Sequence, residues 1–285
     1  MPTESVDALL PPAMARRAED VGAAKSRMPA GRMFALAVLA GAFIAFGALF
    51  STIALAGTAG HVAYGPSRLL AGLVFSLGLV LVVVGGAELF TGNNLLVMAW
   101  AARRIRARAL LRNWAIVYAG NFVGAVAVAW AVYRSGHYRS GTSAVGQEVL
   151  DIAAAKTALS FEEAFWRGVL ANVLVCLAVW LCFSARSVVD KIVAVVLPVS
   201  AFVAAGFEHS IANMYFIPVA LFVKAGAPKA FWSEAGSTPG DYGDLTWGQF
   251  LRDNLVPVTL GNVVGGAALV GLVYAFVYLV HERDS

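Results

Sequence analysis

The chain has 285 residues, of which 60% are hydrophobic and only 13% charged, with a mean hydropathy of +0.75. That composition excludes a water-soluble globular domain and marks an integral membrane protein. The net charge of +4 and the pI near 9.2 arise from an uneven spread of basic residues over the loops and require no nucleic-acid partner.

Residues 1–31 form an N-terminal segment whose charges, from Glu4 and Asp7 to Lys25 and Arg27, leave no apolar stretch for a signal peptide. Within it, Pro11 and Pro12 followed by Met14, Ala18 and Val21 predict a short amphipathic helix over Leu10 to Val21, lying against one mouth of the protein. Residues 32–280 form the transmembrane domain. Its apolar runs, at Met33 to Gly57, Leu69 to Ala102, Trp114 to Tyr133, Gly168 to Ala185, Ile192 to Val223 and Leu255 to Val280, can each cross a bilayer, which takes roughly 20 apolar residues. The second and fifth runs are 34 and 32 residues long and carry polar, glycine-bearing interruptions, so they are read as broken helices. Between the third and fourth spans, Ala144 to Glu163 predicts an external helix that carries Lys156 either to solvent or into a pore vestibule. The loop Lys224 to Thr246 is rich in Gly, Pro and Ser, and residues 281–285 are a terminal tail.

Both broken runs contain the pattern G-x-E-x-x-x-x-N, at Gly86 to Asn93 and at Gly206 to Asn213. A second pattern, G-N-x-x-G, recurs in spans three and six, at Gly120 to Gly124 and Gly261 to Gly265. The chain is therefore a duplication of three-span halves, and an odd number of spans puts the halves in opposite orientation. The offset is 120 residues for the first pattern and 141 for the second, which places an insertion of about twenty residues in the loop Lys224 to Thr246. Thirteen of the 21 basic residues lie on the side of the termini and eight, matched by eight acids, on the other. Both termini are accordingly placed in the cytoplasm.

A carboxylate within a membrane segment is costly, so Glu88 and Glu208 need a reason to be there. They are assigned to bracing the breaks, where a new helical turn leaves N–H groups without partners, rather than to binding substrate. His209 lies inside the second break, opposite the break that holds Thr91, and is the residue type that titrates near neutral pH, so it is given a functional role. Asn172 and Asn262 are read as lining a path, and Asn121 as glue between helices. Phe75, Leu79, Leu89, Phe90 and Phe202 stand near the breaks, where apolar side chains can gate a pore. Cys176 and Cys182 are buried thiols. No nucleophile, metal-ligand cluster or cofactor motif accompanies Glu208 and His209, so enzymatic acid/base chemistry is set aside and neither a cofactor nor a metal is expected.

The stretches Leu9 to Ala15, Glu88 to Asn93, Ala171 to Trp180, Gly206 to Met214 and Asp253 to Asn262 resemble the formate/nitrite transporter family, most closely its formate-channel branch, over nearly the whole chain. The resemblance implies an all-α protomer of aquaporin-like form, with six transmembrane helices as inverted three-helix repeats, assembled as a homopentamer in the bacterial inner membrane. It implies two apolar constrictions, Phe75 and Phe202 on the external side and Leu79, Leu89, Phe90 and Val175 on the cytoplasmic side. Between them it implies a polar set of Thr91, Asn172 and His209 with Asn262 nearby. Lys156 becomes a vestibule lysine that attracts anions, Asn213 its partner, and Thr91 the residue that orients His209. The implied activity is bidirectional, pH-controlled passage of formate, with His209 as proton donor or as polar contact, and nitrite or hydrosulfide as the alternative cargo. The implied partners are the lipid bilayer, further copies of the chain and a cytoplasmic formate-producing enzyme at the N-terminal helix, which is tied to gating.

Overall fold

The computed structural model describes residues 7–280. The 281–285 tail and the first six residues of the N-terminal segment lie outside the described residues. No strand occurs among the described residues. The helices are α1 (Pro11–Ser26), α2 (Ala30–Leu55), α3 (Tyr64–Gly85), a 3-10 turn (Gly92–Leu96) leading into α4 (Val97–Ala101), and α5 (Ala107–Arg134). The second half follows with α6 (Ala144–Thr157), α7 (Phe161–Ser184), α8 (Val188–Ala204), α9 (Ser210–Gly226), the short α10 (Lys229–Ala235) and a long final helix, α11 (247–280).

α7 and α8 outrun their apolar runs because their first turns are polar and capped. α7 starts at Phe161, ahead of the run at Gly168, through a capping box: Glu163 N–H donates to Ser160 Oγ (3.2 Å) and Ser160 N–H to Glu163 Oε2 (2.9 Å). This also ends the expected helix from Ala144 at Thr157 rather than at Glu163.

The two breaks are built alike. Gly86 (φ +75°) and Gly206 (φ +70°) take the left-handed conformation that a side chain disfavours, ending α3 and α8. The next N–H groups fold back five residues, Ala87 to the Val82 carbonyl and Phe207 to the Phe202 carbonyl, both at 3.0 Å. Beyond them, Glu88 and Glu208 donate their N–H groups to the Leu36 and Arg167 carbonyls, each at 3.2 Å, so α2 and α7 hold the two loops in the same way. The G-N-x-x-G glycines permit this closeness: a Cβ on Gly124 would strike the Val38 carbonyl, and one on Gly265 the Val169 carbonyl.

The repeat reaches further than three spans. Leu36 and Arg167 are 131 residues apart, and so are Lys25 on α1 and Lys156 on α6. The amphipathic helices α1 and α6 are thus mates, one at each mouth. α1 seats Met14, Ala15 and Ala18 against Leu95, Met98, Trp180, Val270 and Leu279, beside the stack of Trp180 on Tyr274 (4.2 Å between ring centres). The start of the described chain and the end of α11 therefore share one side. Most of the insertion is the difference between residues 102–106, which join α4 to α5, and residues 227–246, which join α9 to α11; the remainder lies mainly in α9, which runs on to Gly226 whereas α4 ends at Ala101. The longer link is pinned to α6 by Tyr242, whose hydroxyl donates to Asp151 (2.8 Å), and to α9 by Lys224, which donates to the Tyr242 and Leu245 carbonyls (2.6 and 2.9 Å).

Candidate functional site

The breaks meet at the centre of the chain. Thr91 Oγ1 of the first lies 2.8 Å from His209 Nε2 of the second, and both side chains are buried. His209 is also the N-cap of α9: its Nδ1 accepts the Ala212 N–H at 3.0 Å. An Nδ1 that accepts a backbone N–H carries no proton, so the neutral ring holds its proton on Nε2 and donates it toward Thr91. Phe202 lies against the ring at 5.9 Å between centres.

Asn121 and Asn262, from α5 and α11, clamp the two breaks. Asn121 Nδ2 donates to the Ala37 and Glu88 carbonyls (2.7 and 2.9 Å) while its Oδ1 accepts Phe90 N–H (2.9 Å). Asn262 does the same with the Gly168 and Glu208 carbonyls (2.8 and 3.0 Å) and Ser210 N–H (2.9 Å). An amide suits this task because it offers a donor and an acceptor to a loop that exposes both. Two expectations are corrected here. The N–H groups at the breaks go to backbone carbonyls, to the Asn121 and Asn262 amides and to His209; neither Glu88 nor Glu208 receives one through its carboxylate. Asn121 does more than join helices, because it fixes the shape of the first break.

The carboxylates are held by side chains instead. Glu208 takes Lys156 Nζ (2.7 Å) on Oε1, and Asn213 (2.6 Å) and Asn254 (3.2 Å) on Oε2. Glu88 takes Lys25 Nζ (3.1 Å) on Oε1 and Asn93 (2.7 Å) on Oε2, and Asn113 accepts from Asn93 (3.0 Å) as Asn254 accepts from Asn213 (2.8 Å). The expectation that Lys156 pairs with Asn213 is corrected: the ammonium takes the carboxylate, the stronger partner for a charge, and Asn213 reaches the same carboxylate from the other side. Of the two orientations left open for Lys156, the structure has the inward one, with Nζ also 5.3 Å from the Phe216 ring centre.

Two cavities flank the centre. One, of about 550 Å3, lies beneath α6 and is lined by Lys156, Glu208, His209, Asn213, Phe75 and Phe202, among others. The other, of about 260 Å3, lies beneath α1 and is lined by Lys25, Glu88, Leu79, Leu89 and Asn93, among others. They share no lining residue. Phe75 faces one and Leu79 the other, so on α3 the apolar barrier between them is one helical turn thick, about 6 Å.

The remaining expected residues sit around this barrier. Val175 and Phe90 are buried in the same apolar core and line neither cavity; Phe90 turns its ring edge-on to Tyr118 (4.9 Å between centres) and Trp114 of α5. Asn172 also lines neither cavity. Its Nδ2 donates to the Asn262 carbonyl (2.6 Å) and the Thr91 carbonyl (3.4 Å), so it ties the clamp of one break to the threonine of the other. The repeat offset of 131 relates Asn172 to Gly41, where the chain has no side chain and α2 touches the Asn121 carbonyl. The Asn172 side chain lies where a Cβ on Gly266 would strike its Nδ2, and α11 is π-helical at Phe250–Leu255, Val264–Leu272 and Phe276–Val280, whereas α5 is α-helical throughout.

Sequence reasoning missed Lys25, Asn113 and Asn254. Their signal was the repeat itself: Asn113 and Asn254 share the offset of 141, and Lys25 lies 131 residues before Lys156.

Comparison with known proteins agrees with this architecture. The model of the family Formate/nitrite transporter matches residues 12–276. Formate channel FocA of Escherichia coli K12 is 46% identical over 278 residues, covering 98% of this chain and 97% of its own. FocA of Haemophilus influenzae is 38% identical, covering 96% of each chain. A probable formate transporter of Methanothermobacter thermautotrophicus is 40% identical, covering 90% of this chain and 92% of its own. Among solved structures, a pentameric formate channel with formate bound superposes with a TM-score of 0.84 at 42% identity, covering 88% of this chain and 98% of that one. An ion channel of the same family superposes at 0.77 with 26% identity, covering 93% and 98%.

Proposed function

This chain belongs to the formate/nitrite transporter family, and on that premise we propose that it conducts formate in both directions through each protomer of a homopentamer in the bacterial inner membrane. The termini face the cytoplasm, following the excess of basic residues on that side, so the cavity beneath α6 is the outer one and that beneath α1 the inner one. The observation that carries the reading is the Thr91–His209 contact at 2.8 Å, set at a barrier one turn thick between two cavities that each hold a lysine.

A carboxylate drawn into either cavity by a lysine loses water at the apolar barrier, where a bare charge is costly. His209 compensates there. Its Nε2–H exchanges the Thr91 oxygen for an oxygen of formate, while the Ala212 N–H keeps the ring from turning. Donation of a full proton from Nε2 requires the ring to take a second proton on Nδ1 and so to release Ala212, which opens the first turn of α9. Passage as formic acid is thereby linked to movement at the second break, and this is the source proposed for pH control.

The test is flux into proteoliposomes for formate, nitrite and hydrosulfide across a range of pH, with the unmodified chain, His209→Ala and His209→Asn. Formate is expected to pass fastest, and His209→Ala to lose the pH dependence. Asparagine keeps a hydrogen-bond donor but cannot titrate, so flux that survives without pH dependence in His209→Asn marks a contact with a separate proton-linked mode. Nitrite well ahead of formate would overturn the choice of cargo.

A further inference from the structure

The repeat explains Lys156, Glu208 and Asn213 in the outer cavity, because each has a mate, Lys25, Glu88 or Asn93, in the inner one. Arg68 has none: the residue 120 positions on, at its repeat-related place, is Val188. Arg68 stands in the second turn of α3 and lines the outer cavity. Its Nη2 donates to the Val203 carbonyl at 2.9 Å, an acceptor in the last turn of α8, immediately before the break. That bond fixes the guanidinium near Gly206, where an added Cβ would lie 3.7 Å from Nη2. The Nε–H is buried and has no hydrogen-bond partner. No carboxylate among the described residues lies within ion-pair distance of it.

Three of the other charges of this cavity are committed, those of Lys156, Glu208 and Asp151. Lys156 is bound to Glu208, and Asp151 accepts from Tyr242 and from Gln147 (2.8 and 3.1 Å). Glu148 of α6 lines the same cavity and feels the charge of Arg68, but makes no hydrogen bond to it. Arg167 of α7 and Tyr64 of α3 complete the titratable and charged groups facing it, with His209 at the floor. A guanidinium with one edge anchored and a buried N–H left over is poised for a planar carboxylate, which it can meet with parallel hydrogen bonds in a way an ammonium cannot.

We propose that Arg68 is a second anion-contacting residue of the outer cavity, which receives a small monovalent carboxylate through its unpartnered guanidinium face before the anion reaches Lys156 and His209, with Glu148 as the competing charge that sets how firmly it is held. The proposal rests on formate conduction as the function. Because Arg68 has no mate at the inner mouth, it makes the two directions of passage unequal in their saturation.

A passive conductor must keep equal permeability in both directions at low concentration, so the effect of Arg68 has a specific signature. Labelled formate uptake is measured in right-side-out and in inverted membrane vesicles carrying the intact chain, from a host without formate channels of its own. With Arg68→Gln in right-side-out vesicles, the half-saturating formate concentration is expected to rise about tenfold, the worth of one screened charge-assisted contact, while maximal flux stays near that of the unmodified chain. In inverted vesicles the same variant should keep its half-saturation and lose maximal flux instead. Arg68→Lys should fall between, and Glu148→Gln, which leaves the Val203 anchor untouched, should lower the outer half-saturation about threefold by removing a competing charge. An unmoved outer half-saturation in both Arg68→Gln and Glu148→Gln overturns the proposal, as does equal loss of maximal flux from both faces with both half-saturations unchanged, the mark of a merely structural anchor. No saturable formate flux in the unmodified chain would instead remove the function on which the proposal stands.

Discussion

Thr91 and His209 are 118 residues apart in sequence and 2.8 Å apart in space, one from each interrupted helix, and their contact is where the two halves of the repeat stop being alike. The motif offset of 120 pairs Thr91 with Ile211 and His209 with Leu89. Each half thus contributes one polar and one apolar residue, and the polar ones meet.

Replacing Thr91 with valine keeps shape and removes the acceptor for His209 Nε2–H. Leaving a buried donor unpaired costs about 1–3 kcal/mol, so formate flux at neutral pH is expected to fall about tenfold if the ring drifts from its station. Thr91→Ser should stay close to the unmodified chain. Stopped-flow flux in proteoliposomes compares them; loss in Ser with none in Val would show that the methyl group, not the hydroxyl, matters.

Asn121→Leu and Asn262→Leu should destabilise to a similar degree. Each removes three hydrogen bonds at a buried loop, a loss of about 3 kcal/mol at roughly 1 kcal/mol per bond. Thermal unfolding in detergent reads the shift. A large drop for one variant and none for the other would contradict the equivalence of the two clamps.

Lys25 ties α1 to Glu88, and Arg104 adds a second tie through Glu19 (3.0 Å). Lys25→Ala leaves the buried Glu88 carboxylate without its cation, whereas Lys156→Ala does the same to Glu208 at the opposite mouth. Hydrogen exchange of the α1 amides is expected to quicken about tenfold in the first variant, a change of about 1.4 kcal/mol in local opening, and to be unaffected in the second. Quickening in both would mean that the two mouths are mechanically linked.

Burial and the neighbouring Asp151 hold the Glu148 carboxyl above its ordinary range, with Arg68 opposing them. A raised carboxyl becomes neutral at a higher pH than an exposed one, so acidification first removes this negative charge from the cavity beneath α6. Anion affinity measured from that side should therefore strengthen as pH falls through the Glu148 titration, and Glu148→Gln should flatten that part of the profile. Half-saturation measured at closely spaced pH values from 4.5 to 7, a range chosen about the ordinary carboxylate value, distinguishes this step from one at His209. An unchanged profile in Glu148→Gln would assign it elsewhere.

Much of the architecture was legible in the chain. A bilayer demands long apolar runs and penalises buried charge, so spans, breaks and the duplicated glutamates stand out against a hydrophobic background, and a repeated motif with a shifted offset located the insertion. The resemblance of E-H-S-I-A-N-M and its companions added the family. What the linear pattern did not reveal was which polar atoms satisfy one another. Asn121 looked like a packing residue because its three partners come from α2 and from the break, far off in sequence. Lys25 lay beyond the predicted end of α1, and only the length of that helix to Ser26 carries its ammonium to Glu88.

The sequence by itself determined the number and order of the spans, their duplication and the places where helices break, since these follow from hydropathy and from short local patterns. Tertiary structure alone decided the pairing: lysine with glutamate, amide with loop backbone, threonine with histidine. Buried polar groups must find partners, and in an inverted repeat the nearest ones belong to other helices, at distances along the chain that local sequence does not encode.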